Sequence, residues 1–129
     1  VLPSVLNSSD FIKSKYSHPI YGTPQMPTQN LSEAKVWIDY GEDGKVKNPY
    51  KLLPPIASYL GIDANLNELE LKETESVANG GAALAAYAKM QFSDGAMSEA
   101  LEKALLTYCE LDTLAMVFIW EYFWSECQK

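Results

Sequence analysis

Two side chains four residues apart, Tyr108 and Asp112 in the string YCELDTLAM, are the residues of this chain best suited to chemistry. Inside a helix that spacing sets a phenol beside a carboxylate, with Cβ atoms about 5 to 6 Å apart. The carboxylate is a ligand for a divalent cation, and the phenol can orient water bound to that cation, which is the geometry of a hydrolase. With about 100° per residue and Tyr108 as zero, Leu101, Ala104, Leu105, Leu111, Ala115, Ile119, Tyr122 and Phe123 lie within roughly 60° of it. Asp112 falls inside that apolar face. Glu99, Lys103, Glu110 and Glu121 take the opposite, solvated side. A carboxylate turned toward a core is costly unless it is paired, hydrogen-bonded or bound to metal. The pattern therefore predicts a compensating partner for Asp112. In a functional reading that partner is a metal ion, and in a structural one it is a backbone group or a lysine.

The elements that must position this pair are helical. The last helix is expected from a Ser98 cap to about Glu126, with Glu99 and Lys103 as an i, i+4 pair on its solvated side. Asn79 is a cap for a helix from about Gly80 to Phe92, whose alanines at 82, 83, 85, 86 and 88 favour close packing against the last helix. Trp120 and Trp124, one turn apart on another face, predict either a second buried contact or an exposed aromatic patch.

Upstream, VLPSVL and SSDFIKSKYS predict two short helices, with Pro3 in a first turn and Ser8 or Ser9 as a cap ahead of Asp10. HPIYGTPQMPTQ, 18 to 29, holds three prolines and a glycine and reads as a loop, in which His18 is a surface or packing residue. LSEAKVW reads as a short helical piece, and Asp43-Gly44 as the turn of a small hairpin from about Val36 to Lys47. NPYKLLPPIASYLG predicts a helix begun at Pro54 and Pro55 and stopped at Gly61, with Leu52, Leu53, Ile56 and Leu60 in the core. The acidic run 63 to 76 reads as a loop or a surface helix, and Glu68 with Glu70 and Glu73 with Glu75 as solvated charge.

At 129 residues and 47% apolar content, residues 1 to 129 read as a single globular segment, one domain or part of one. A net charge of −7, from ten lysines and no arginine against 17 acidic residues, argues against a free-standing nucleic-acid binder. Cys109 and Cys127 are about 27 Å apart along one helix and cannot bridge within it. With no zinc-type cluster and no secretory signal, the cytoplasm is the expected compartment. LAMVFIWEYFW is too short to cross a bilayer and is interrupted by Glu121, so no membrane partner is expected.

YCELDTLAMV, together with VLPSVLNSSDFIKSKYS, NPYKLLPPI and NGGAALAAYAKMQF, resembles the C-terminal part of the bacterial domain-of-unknown-function family 2779. That family is RNase H-like and similar to 3′ to 5′ exonucleases of the DEDD type, and the matching segments span nearly the whole chain. In the DEDDy branch the last motif is YxxxD, which Tyr108 and Asp112 match residue by residue. The resemblance implies that Tyr108 and Asp112 are catalytic, that Asp112 is a metal ligand, and that Mg²⁺ or Mn²⁺ serves the intact domain. Single-stranded or frayed nucleic acid is the implied substrate. The other acidic motifs, a DxE and a third carboxylate, are not evident here and precede the VLP stretch in the family. The chain is therefore expected to be mainly α, the helical C-terminal segment of an RNase H-like α/β domain. Alone it is expected to be inactive, to bind no metal, to pair with the missing N-terminal part of its own domain, and to self-associate. A non-enzymatic helical protein-interaction module and a degenerate nuclease are the competing readings.

Overall fold

The computed structural model describes residues 1–60 and 76–129. The Gly61 stop, the four glutamates at 68, 70, 73 and 75, and all but Ser76 of the loop or helix expected over 63 to 76 lie outside the described residues. Those described are mainly helical: α1 is Leu2–Ser8, α2 Asp10–Tyr16, α3 Gly80–Gln91 and α4 Gly95–Cys127, with 3₁₀ turns at Pro49–Leu52 and Ile56–Tyr59. They form two compact units, one of Val1–Leu52 with Glu110–Lys129 and the other Leu53–Cys109.

In the first unit local chemistry sets the helix ends. Ser9, one of the two serines the sequence offers as a cap, closes α1 and caps α2, its hydroxyl accepting from the Ile12 N–H at 3.2 Å. The apolar sides of these helices bury Val5, Leu6, Ile12 and Tyr16. From α4 the same unit buries Leu111, Leu114, Ala115 and Phe118, at helical spacing. Tyr16 meets Phe118 edge to face at 4.6 Å between ring centroids, a preferred aromatic geometry.

LSEAKVW is not helical. The Trp37 and Ile38 N–H groups both donate to the Tyr16 carbonyl, and Lys35 forms an antiparallel bridge with Tyr21. These long-range bonds offset the helical propensity of the stretch. Gly22 faces it at φ 96°, and a Cβ there would stand 2.9 Å from the Ala34 Cα, so only glycine fits the close approach. The hairpin reduces to one antiparallel bridge, Tyr40 with Val46, around a turn in which Gly44 takes φ 76°. The prolines of NPYKLLPPI remove donors and hold the segment in two 3₁₀ turns, where an α-helix was expected.

In the second unit Asn79 caps α3, its side-chain oxygen accepting from the Ala82 N–H at 2.8 Å. Ala86 of α3 joins Ile56, Val77, Met97, Ala100, Leu101 and Ala104 in one core cluster. The packing of α3 is shallower than its alanines suggest. Ala86 is its one buried residue, and Leu84 and Tyr87 are exposed. α4 starts at Gly95 and not after Ser98, which lies inside the helix. No helix among the described residues is long and apolar enough to cross a membrane.

Candidate functional site

Both members of the predicted pair lie on the continuous helix α4, Tyr108 in the second unit and Asp112 in the first. Tyr108 is half-buried against the core cluster of its unit. Asp112 is exposed, which corrects the expectation that it points into an apolar core. The buried line of α4 in that unit runs through Leu111, Leu114, Ala115 and Phe118, and Asp112 stands about 100° around from Leu111.

The partner of Asp112 is a phenol. Tyr50 donates its hydroxyl to the Asp112 Oδ1. The Asn48 side chain accepts from the Tyr50 N–H at 3.1 Å, and buried Pro49 anchors the same turn. Asp112 therefore combines access from solvent with a fixed donor on one oxygen, leaving acceptor capacity on the carboxylate. Tyr50 lies within the quoted NPYKLLPPI stretch, yet its pairing with Asp112 across 62 positions has no signal in the sequence. Among the described residues no group of three or more His, Cys, Asp or Glu side chains is placed to hold a metal ion.

Of the three carboxylates assigned to the solvated face, Glu99 is exposed, but Glu110 and Glu121 prove to be engaged. Glu121 is 7% exposed. Its Oε1 accepts from the Tyr16 hydroxyl at 2.9 Å and from the Lys15 ammonium at 2.7 Å. Its Oε2 is buried with no hydrogen-bond partner among the described residues. Burial, reinforced by the bond to Glu121, pushes the Tyr16 phenol well above its usual pKa, so it stays a donor.

Glu110 gathers the Pro-rich loop. It accepts from the Tyr21 hydroxyl at 2.8 Å, the Thr28 hydroxyl, the Gln29 N–H at 2.8 Å, and the Asn30 N–H and side-chain amide, both at 3.0 Å. Burial works to raise its pKa, but these donors together outweigh it and hold the carboxyl below its ordinary value. With the folded pKa depressed, the stabilisation is present above the unfolded value of about 4.3 and is lost as pH falls through the folded value. Glu110→Ala is expected to lower stability at neutral pH by about 2 to 3 kcal/mol, because several donors lose a charged acceptor at once. Urea titrations at pH 7 and pH 3 check this, and the gap between wild type and variant should narrow at the acid end.

No family model, curated protein or solved structure matches the chain.

Proposed function

We propose that this chain is the last-motif segment of a metal-dependent 3′ to 5′ exonuclease domain of the DEDDy kind. The observation that carries the reading is the exposed Asp112 carboxylate, in YxxxD register on α4 and held by the Tyr50 hydroxyl. A metal-ligating carboxylate must be reachable by cation and phosphate, and an exposed, oriented one meets that need better than a buried one. The resemblance of the flanking segments supports the same assignment.

A pair of Mg²⁺ or Mn²⁺ ions in such a domain stabilises the attacking and leaving oxygens of the scissile phosphate. In this reading Asp112 supplies a carboxylate oxygen as ligand, and Tyr108 gives its hydroxyl to orient the attacking water. One carboxylate with a neutral phenol is too small a donor set for a hard divalent cation. The reading therefore requires further carboxylates encoded ahead of Val1, a DxE on a hydrophobic strand followed by another acidic residue before VLPSVL. A polypeptide joining them to this chain is expected to shorten a single-stranded oligonucleotide from its 3′ end in the presence of Mg²⁺ or Mn²⁺. A start codon at this point, or a joined polypeptide without activity, overturns the assignment. The 129-residue chain alone is expected to show no nuclease activity. Degradation that survives rigorous purification and disappears on changing Asp112 would place the other carboxylates within it.

The second reading, a helical protein-interaction module, is favoured by the large aromatic side chains that α4 leaves in solvent.

A further inference from the structure

Within the first unit α4 carries a second apolar stripe besides the one it buries. Met116, Trp120, Phe123 and Cys127 follow one another at steps of four, three and four residues, the spacing of a helix-packing seam, and all four are exposed. Trp124 stacks beside Trp120 with ring centroids 6.4 Å apart and 16° between planes, and Phe11 of α2 tilts onto Trp124 at 6.0 Å. Met116 is 68% exposed, Trp120 63%, Phe123 61%, Trp124 45% and Phe11 40%.

We infer that this face is a self-association surface, occupied by the same face of a second copy of the chain in antiparallel orientation. Two observations single out a second copy. The first is area: with about 150 to 250 Å² for a large apolar side chain, these five leave about 400 to 700 Å² uncovered. That is the size of the largest patch on an ordinary monomer, or more. Two copies face to face bury about 800 to 1,400 Å², which reaches the roughly 1,000 Å² expected of a specific interface. The second is symmetry. A two-fold axis at the level between Glu121 and Tyr122 sets Trp120 against Phe123 of the other copy and Met116 against its Cys127. The spacing of the stripe is thus self-complementary, as an isologous contact requires. A net charge of −7 on each copy opposes pairing, so added salt is expected to strengthen it, the reverse of an electrostatic contact.

Sedimentation equilibrium of the 129-residue chain at low and high salt is the test. A monomer–dimer equilibrium that tightens with salt is expected, and Trp120→Glu should raise its dissociation constant by about thirtyfold or more, as for a central aromatic anchor. Because Trp120 is exposed, the variant keeps its fold, which far-UV circular dichroism checks. Leu84→Glu, on the exposed side of α3, should leave the equilibrium unchanged. Orientation is read separately: in a Cys109→Ser background, Met116→Cys should form a disulfide joining position 116 of one copy to Cys127 of the other under mild oxidation. A chain that stays monomeric, or a dimer insensitive to Trp120→Glu, overturns the proposal. A disulfide joining Cys127 to Cys127 overturns the antiparallel geometry. Quenching of tryptophan fluorescence by a single-stranded oligonucleotide, with the chain still monomeric, would make the face a platform for bases and equally overturn it.

Discussion

Glu121→Ala is expected to lower the stability of the chain by about 2 to 4 kcal/mol, the cost of stranding a buried hydroxyl and a partly buried ammonium that share one acceptor. Among the described residues the Tyr16 hydroxyl donates its proton to Glu121 alone and sits in a buried side chain, while Lys15 retains partial access to water. The effect therefore comes mostly from Tyr16. Glu121→Gln keeps an acceptor for that hydroxyl and loses only the charge, so it should cost about 1 kcal/mol. An urea midpoint that moves as far for Gln as for Ala would show that charge, not hydrogen bonding, holds the site. The tyrosine also sets an alkaline limit. Its folded pKa lies above its unfolded value, so its contribution is complete below about pH 10 and is lost as pH rises further. Tyr21, raised mainly by burial and also by its bond to Glu110, adds to the same loss.

Glu121 illustrates where sequence reading stops. Its partner Tyr16 is 105 positions away, and the donors of Glu110 are 80 to 89 away, with nothing in the intervening residues to mark the pairing. Features set by neighbours within four residues were legible: the Ser9 and Asn79 caps, two short helices at the start, the Pro-rich loop and the end of α4. The phase of α4 was not. The helix carries large apolar side chains on two faces, Leu111, Leu114 and Phe118 on one and Met116, Trp120 and Phe123 on the other. Periodicity averaged over both points between them, toward Tyr108 and Asp112. That ambiguity made an exposed carboxylate look buried and a buried one look solvated. LSEAKVW failed differently, because its backbone bonds to Tyr16 and Tyr21 come from tertiary structure.

The corrected position of Asp112 sharpens what its replacement should do. A buried, unpaired carboxylate would have made Asp112→Asn stabilising in the absence of metal. An exposed one that accepts from Tyr50 predicts almost no change, within about 0.5 kcal/mol, since asparagine keeps an acceptor for the phenol and the site is open to water. Activity should part company with stability. In the polypeptide that joins this chain to the required upstream carboxylates, losing one anionic ligand is expected to reduce the rate by about a thousandfold or more, some 4 kcal/mol of barrier. Tyr108→Phe removes an orienting hydroxyl but no ligand, and about tenfold to a hundredfold is expected of it. The interaction-module reading predicts neither loss, because it gives Asp112 only a surface hydrogen bond to Tyr50. Melting curves and nuclease rates on the same purified Asp112→Asn sample separate the two. An unchanged melting curve with the rate gone supports the metal ligand, and an Asp112→Asn protein that digests an oligonucleotide as fast as the parent ends that role for the carboxylate.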